Sequence, residues 1–312
     1  MPVLFSYLLK LSCSLSVVYL FYQLALRRLT FYTAARWYLL GYSLFCFFIP
    51  LININRLIEQ QQWNQSKVVQ AIPALETYTR TATEVMQHDQ GSSFTVCSAA
   101  LLLFALGAIA LLARLVIQYI SLHQLSKRAQ LLAGDGIKMY QVNKDIIPFS
   151  FGNAIYINQH LHSEPELKEI IRHEFVHVKQ RHTIDILWTE ILCILNWYNP
   201  AAWAIRYAVR QNLEFIADNQ VLQSGFDKRD YQYLLLKVMG MPQFRIATPF
   251  NFSSLKKRIV MMNKLKSTKA HLVKFLFMLP LLAVLLLAFR NGTGKLKPGQ
   301  KKKSSLLYQA LL

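Results

Sequence analysis

Two histidines and a glutamate in one short segment have the spacing of a metal-dependent hydrolytic site. His173 and His177 lie four positions apart, and Glu174 directly follows the first histidine. On a helix this spacing places two imidazoles on one face, with Cβ atoms about 5–6 Å apart. Both can then bind one Zn²⁺, while the adjacent carboxylate takes a proton from water. The motif predicts a zinc site with Glu174 as general base. The alternative is an ordinary helix with two unrelated histidines.

A catalytic zinc ion needs a third protein ligand and keeps one position open. No histidine follows in the H-x-x-G-x-x-H spacing, so the candidate is Glu214, with Asp218 one helical turn later. Asp218 could hold a ligand histidine through its second ring nitrogen. An ion pair between Arg210 and Glu214 on a solvated helix face is the competing interpretation. Given the upstream motif, we expect Glu214 to be the ligand.

The histidine motif has the local signals of a helix. Ser163 and Glu166 form an S-x-x-E capping box, and Pro165 suits a first helical turn. An apolar residue then recurs at helical spacing through the motif, which predicts a buried face. The imidazoles of His173 and His177 should therefore share one side of a true helix.

A second helix is predicted for the third ligand. Asn199 and Pro200 are typical of an N-cap and a first helical position. The helix should run to about Leu222, and Gly225 is a suitable stop. Glu214 would then lie in the interior of this helix.

The composition is that of a membrane protein. Of 312 residues, 54% are apolar and 16% are charged, with a formal charge of +19, whereas globular proteins average about 25% charged residues. Disordered, collagenous and disulfide-stapled classes are excluded, and a soluble nucleic-acid binder fits poorly. We attribute the basic charge to a cytoplasmic orientation and to contact with anionic lipid, without direct binding of nucleic acid. The four dispersed cysteines are expected to pack as small hydrophobes.

Four apolar segments have the length of transmembrane helices. We place them at 11–26 (with a start as early as 4), 37–54, 96–113 (continuing to about 120) and 272–289. The predicted organisation is two spans in 1–54, an extracytoplasmic loop at 55–95, a third span at 96–120, a cytoplasmic domain at 121–271, a fourth span at 272–289 and a basic tail at 290–312.

Charge in the short flanks gives the orientation. The first loop contains Arg27, Arg28 and Arg36 and no acid, so it should be cytoplasmic. The loop at 55–95 is slightly acidic and should lie outside, whereas 121–271 is basic and should lie inside. The basic tail disagrees with this order, and we expect the early helices to dominate.

Several of these motifs together resemble the antirepressor membrane metallopeptidases of the BlaR/MecR type, whose core is similar to the HtpX-like gluzincins. The resemblance extends to about Phe289. It rests on the spans and on four runs, 173–177, 197–200, 214–218 and 255–259. It implies four transmembrane helices with an inserted α+β gluzincin-like zinc peptidase domain facing the cytoplasm of a bacterium, in its cytoplasmic (inner) membrane.

The resemblance also implies an activity and partners. Such a peptidase cleaves a BlaI/MecI-like transcriptional repressor in transmembrane signalling, often with self-cleavage, and self-association is a further expectation. We expect no C-terminal penicillin-binding sensor domain, and we interpret the S-x-x-K matches at 253–257 as coincidence. Two alternatives remain, an HtpX-like quality-control protease of the membrane and a non-catalytic transducer with structural zinc.

Other residues have weaker predictions. The β-prone run at 150–157 is either a core strand or a strand that pairs with extended substrate. His182 is expected to support a ligand or to lie on the surface, and the apolar stretch at 184–197 to form a core or interfacial helix. Three side chains could stabilise the oxyanion, and spacing does not choose among them. They are Tyr198, Tyr207 and Arg210.

Overall fold

A computed structural model of the chain describes residues 2–52, 72, 93–133, 136–240 and 250–290. The predicted loop at 55–95 and the tail at 290–312 lie largely outside these residues. The described part is mostly helical with one small sheet, as the sequence predicts.

The N-terminal third of the chain is built from long apolar helices. They are α1 (Pro2–Phe21), which continues as a π-helical turn (Tyr22–Leu26), α2 (Tyr32–Phe45), followed by a 3₁₀ turn (Ile49–Leu51), and α3 (Ser93–Arg128). Many of their large apolar side chains are exposed, among them Leu24, Trp37 and Leu102. Such surfaces are expected where lipid, and not water, surrounds the helix.

Within the described residues, four segments are long and apolar enough to cross a membrane. They are Leu4–Leu26, Tyr32–Leu51, Ser98–Arg128 and Lys269–Ala288. The four predicted spans are therefore present as helices, with the second starting earlier than expected and the third extending further. The third extends because no helix-breaking residue follows its apolar part before Arg128.

A four-stranded sheet follows α3. Its strands are β1 (Gln130–Ala133), β2 (Lys138–Gln141), β3 (Phe149–Phe151) and β4 (Ala154–Ile157), in the order β1-β2-β4-β3. β4 is fully buried and pairs in parallel with β2 and antiparallel with β3, which leaves β3 at an edge. The run at 150–157 is thus a hairpin and not one strand, because Gly152 turns the chain at a positive φ of 61°.

In the described residues between the sheet and the last candidate span, five α-helices carry the candidate site. They are α4 (Glu164–Lys179), α5 (His182–Leu195), α6 (Pro200–Gln223), α7 (Lys228–Gly240) and α8 (Phe250–Met262). Helix α6 is central, because it packs against α2, α4, α5 and α8. Two further helices, α9 (Val273–Leu276) and α10 (Met278–Ala288), complete the last candidate span, with a break at Phe277.

Local signals set the ends of the two site helices as predicted. In α4 the Ser163 backbone N–H donates to Glu166 Oε2 at 3.0 Å, which forms the capping box. In α6 the Asn199 side chain caps the helix by accepting from the Ala201 N–H at 2.9 Å. Gly225 follows the end of α6 with a φ of +91°, the left-handed conformation that favours glycine.

An apolar cluster joins β4, α4, α6 and α7 beside the candidate site. Its buried members are Ile157, Ile170, Val221, Tyr231, Leu234 and Val238. Full burial of such a side chain contributes about 1.5–3 kcal/mol. The cluster therefore fixes α4 against α6, the two helices that carry the candidate ligands.

The long helix α3 makes a close contact with the turn between α5 and α6. The Trp197 indole N–H donates to the Phe104 carbonyl at 3.2 Å. A Cβ atom at Gly107 would lie 2.5 Å from the Trp197 ring, so a larger residue would force the helix and the ring apart. The third candidate span is thereby attached to the helices of the site.

The described residues fall into two compact units. One combines Ser12–Cys46 with Ala99–Met278 and contains the candidate site, and the other holds the described residues of Met1–Leu11, Phe47–Ser98 and Leu279–Leu312. Cys46 and Cys193 are buried, as expected for small hydrophobes, and Cys13 is partly buried.

Candidate metal centre

Three side chains from two helices converge at one point. His173 and His177 extend from α4 with their Nε2 atoms 3.2 Å apart. Glu214 of α6 places one oxygen 3.4 Å from His173 Nε2 and the other 3.8 Å from His177 Nε2. These ligand atoms all lie within 4.8 Å of one another, as one metal ion requires. The predicted convergence is therefore present.

The donor set fits a small divalent ion. Two nitrogens at about 2.0–2.1 Å from a tetrahedral zinc would be separated by about 3.3 Å, and the observed separation is 3.2 Å. Among the described residues the cluster offers two imidazoles and one carboxylate, a donor set that catalytic sites use with a fourth position left open, whereas closed structural sites use four protein ligands.

The outer nitrogen of His173 is held by a tyrosine that the sequence did not suggest. The Tyr231 hydroxyl lies 2.7 Å from His173 Nδ1 and donates to Asp218 Oδ1 at 2.8 Å. Since the tyrosine proton is used on Asp218, its oxygen accepts from an Nδ1–H of His173. Asp218 thus supports the histidine mainly through Tyr231, because its own oxygen is 3.5 Å from the ring nitrogen.

A buried arginine completes this side of the site. Arg258 of α8 contacts Asp218 through Nε at 2.9 Å and Nη2 at 2.5 Å. Its Nη1 lies 2.8 Å from Glu214 Oε2. One guanidinium therefore orients both the predicted ligand Glu214 and the carboxylate behind His173. The buried Asp218 and the partly buried Glu214 need such a counter-charge, because unpaired charges are costly in the interior.

The outer nitrogen of His177 has a different support. His182 Nδ1 lies 2.7 Å from His177 Nδ1, and His182 Nε2 is 3.3 Å from Gln180 Oε1. The same Gln180 oxygen accepts from Arg36 Nη1 at 3.2 Å. An oxygen can only accept, so His182 Nε2 carries a proton, its Nδ1 accepts, and His177 Nδ1 donates. His182 is buried and supports a ligand, and does not lie on the surface.

These hydrogen bonds at Nδ1 leave the Nε2 atom of each histidine with a free lone pair. Protons on the Nδ1 atoms of His173 and His177 direct two Nε2 lone pairs at each other and at Glu214. Such an arrangement of lone pairs is stabilised by a cation at its centre. Burial lowers the pKa of His177 to about 4 and that of His182 to about 3, so both are neutral near pH 7 and available for this arrangement.

The electrostatics of the other two ligands also favour a cation. Burial acts to lower the pKa of His173, but its contact with the Glu214 carboxylate outweighs burial and the net direction is upward. Burial acts to raise the pKa of Glu214, yet Arg258 and the histidines hold it well below its usual value. Glu214 is therefore ionised, and its field stabilises positive charge between the imidazoles.

Glu174, the predicted general base, is buried beside these ligands. Burial raises its pKa to about 7, which the neighbouring His173 and a hydrogen bond from Ser150 partly oppose. Ser150 belongs to the edge strand β3, so the hairpin contributes directly to the site. A carboxyl group with a pKa near neutrality can both accept and return a proton.

The other residues that the sequence suggested for the site have different partners. Arg210 pairs with Glu190 at 2.6 Å, so the alternative ion pair with Glu214 is wrong. Tyr207 accepts from Lys257 at 3.0 Å, and Tyr198 accepts from Ser12 at 3.2 Å. These contacts direct the three oxyanion candidates to other partners.

Four apolar spans and a convergent His-His-Glu set beside a buried glutamate define the class of membrane metallopeptidases. The family model described as BlaR1 peptidase M56 matches residues 4–262, and the chain belongs to this family. No curated protein matches the chain. The predicted resemblance is thus confirmed at the level of the BlaR1-type family, whose peptidases are metal-dependent. The HtpX-like core and the missing sensor domain stay predictions.

Sequence reasoning missed four residues of the site. They are Tyr231, Arg258, Gln180 and Arg36. One signal was available, because Arg258 occupies a position of helical apolar spacing in the 255–259 run that carries part of the family resemblance. A charge at such a position indicates a buried partner. The other three have no comparable signature.

Proposed function

We propose that this chain is a zinc endopeptidase of the bacterial cytoplasmic membrane. It cleaves a cytoplasmic, repressor-like protein as part of transmembrane signalling. The observation that carries the proposal is the convergence of His173, His177 and Glu214 beside the buried Glu174. Membership of the BlaR1 family supports the signalling role, and the excess of basic residues in 121–271 supports a cytoplasmic site.

The residues divide the chemistry between them. His173 and His177 would hold the zinc through Nε2, and Glu214 through its carboxylate. When bound there, the ion supplies a Lewis acid that polarises the scissile carbonyl and lowers the pKa of water. Glu174 accepts the proton of the attacking water and returns it to the leaving amine. Its pKa near 7 suits both transfers.

The substitution Glu174→Gln tests the mechanism. It removes the proton acceptor but none of the three ligands, so we expect about one zinc per chain and cleavage lower by about 10²–10⁴-fold. Zinc is measured by elemental analysis of the purified full-length protein. Cleavage is measured by proteomics of cells with each form, searching for fragments that disappear in the variant.

Glu190→Gln is a matched control. Glu190 is a largely buried acid that pairs with Arg206 and Arg210. The control should keep both zinc and cleavage. Undiminished cleavage by Glu174→Gln would remove the proposed mechanism, and a fragment from a membrane protein in place of a soluble regulator would contradict the proposed substrate.

A further inference from the structure

We propose that Arg36, in the second candidate membrane span, is a positioning residue for the ligand His177. It acts through Gln180 and His182, which neither ligate the metal nor take part in the proton transfers assigned above. This inference rests on the proposed function, since it concerns the same metal site.

Arg36 holds the turn between α4 and α5 from both sides. Its Nη1 donates to the Gln180 side-chain oxygen at 3.2 Å, and its Nη2 to the Gln180 carbonyl at 2.9 Å. Its Nε lies 2.7 Å from Asp185 Oδ2. The Arg36 side chain is 12% exposed and that of Asp185 is 6% exposed, so these contacts are largely shielded from water.

The turn itself needs such a clamp. Arg181, between Gln180 and His182, has a φ of 54°, the left-handed conformation that non-glycine residues rarely adopt. The backbone there is held from the Gln180 carbonyl on one side and from Asp185, in the first turn of α5, on the other. Arg36 thereby fixes the position of His182 relative to α4.

The hydrogen bonds from the arginine and from the ligand converge on Gln180: Arg36 donates to its side-chain oxygen from one side, while His177 donates to His182 and His182 donates to the same oxygen from the other. Arg36 can only donate, so the Gln180 atom that it contacts is the amide oxygen. That oxygen accepts from His182 Nε2, which leaves His182 Nδ1 to accept from His177. The chain ends with the His177 Nε2 lone pair directed at the centre of the cluster. Outer hydrogen bonds of this kind set the tautomer and orientation of metal-bound histidines.

An arginine is required at position 36 by the geometry. Two nitrogens of one planar guanidinium donate to two oxygens of Gln180 while Nε pairs with the carboxylate of Asp185, an arrangement that the single ammonium group of lysine cannot reproduce. Asp185 balances the positive charge of Arg36. Gln180 is neutral, so it acts on His182 only by accepting a hydrogen bond.

The location of Arg36 connects the metal site to a membrane span. It lies in the first turns of α2, whose residue Tyr32 also accepts a hydrogen bond from Asn212 of α6 at 2.8 Å. The start of this span therefore contacts one ligand-bearing helix, α6, and the residue that directly follows the other, α4. A displacement of the span that withdraws Arg36 would release Gln180 and weaken the hold on His177.

The test compares two substitutions at one position in the full-length protein in detergent micelles. Gln180→Leu removes the acceptor, and we expect the zinc dissociation constant to rise about 10–100-fold. Gln180→Glu keeps an acceptor for both Arg36 and His182 and should stay close to the wild type. Arg36→Gln should resemble Gln180→Leu. Affinity is measured by competition with a zinc chelator.

A second measurement reports the tautomer directly. With ¹⁵N-labelled histidine, wild-type His177 should show a single tautomer with a protonated Nδ1. Gln180→Leu should show a mixture of tautomers at His177, and Gln180→Glu should not. Arg206→Gln is the control for loss of a partly buried arginine, because Arg206 pairs with Glu190 and not with the cluster. It should change neither zinc affinity nor the ¹⁵N signals.

The outcomes separate the two proposals. If Gln180→Leu binds zinc as tightly as Gln180→Glu, with the same ¹⁵N signals, the positioning role of Arg36 and Gln180 is overturned while the proposed function stands. If the wild-type protein binds no zinc, the proposed function fails. Should Arg36→Gln not fold, the Gln180 pair remains decisive.

Discussion

The two candidate ligand histidines lie one turn apart on α4, yet the structure supports them in different ways. Behind His173, Tyr231 leads to Asp218 and then to Arg258, which returns to the third ligand Glu214. We call Tyr231, Asp218 and Arg258 the closed support, because this chain of contacts begins and ends at the candidate centre.

Behind His177 the contacts lead away from the centre. His182 and Gln180 are uncharged links that end at Arg36 in a candidate membrane span. We call His182, Gln180 and Arg36 the open support. Charge-assisted hydrogen bonds are about twice as strong as neutral ones. The closed support contains the charged pair of Asp218 and Arg258, whereas the links between His177 and Arg36 in the open support are neutral. Loss of the neutral link Gln180 should therefore change the affinity for metal more than it changes stability, whereas loss of a charge in the closed support should destabilise the fold of the site.

The largest expected effect is a loss of stability when the charge of Arg258 in the closed support is removed. Arg258→Met leaves Asp218 buried and Glu214 partly buried without their counter-ion. Removing one partner of a buried ion pair costs about 3–5 kcal/mol. We expect a loss of this size in the free energy of unfolding, measured in detergent with the metal removed. A loss as small as that of Gln180→Leu would contradict the distinction between the two supports.

A smaller effect is expected from Tyr231→Phe, which removes one hydroxyl. Asp218 and the Nδ1–H of His173 each lose a buried partner. We expect the zinc dissociation constant to rise about tenfold and the free energy of unfolding to fall by about 1–3 kcal/mol. Chelator competition and chemical denaturation provide the two measurements.

Double substitutions test whether the closed and the open support are separate networks. Tyr231→Phe and Arg258→Met share the partner Asp218, so their effects on metal-free stability should be non-additive. Tyr231→Phe and Gln180→Leu share no partner among their hydrogen bonds, and their effects should add. Strong coupling in the second pair would show that the two supports are one network.

The smallest effect concerns the start of α4, which carries both histidines. The Lys237 ammonium, 2.6 Å from Glu166, lowers the pKa of that carboxyl group. A lowered carboxyl pKa contributes stability above the unfolded value of about 4.3, and this stability is lost as the pH falls through the folded pKa. Lys237→Met should therefore reduce the loss of stability below about pH 4.3, as measured by thermal unfolding. The substitution should affect the positions of His173 and His177 equally, and a change in position confined to His177 would contradict this.

Much of the candidate site could be predicted because its signals are local. The capping box, the i and i+4 histidines, the Asn-Pro start of α6 and the apolar spans each depend on a few neighbouring residues. The glutamate at position 214 was also predictable, since a third ligand was needed and an interior helical position was available. The hairpin at 150–157 was missed in part, because one glycine turn interrupts an otherwise continuous β-prone run.

Only the tertiary structure decided how the ligands are held. Arg36 and Gln180 are 144 positions apart in the chain, Tyr231 and His173 are 58 apart, and Arg258 and Asp218 are 40 apart. No short-range pattern links such residues, because a hydrogen bond depends on positions that the packing of α2, α7 and α8 around the site creates. The sequence by itself determined which side chains could bind a metal and on which helices they lie. Packing determined which nitrogen of each imidazole faces the centre, and that one of the two supports begins in a candidate membrane span.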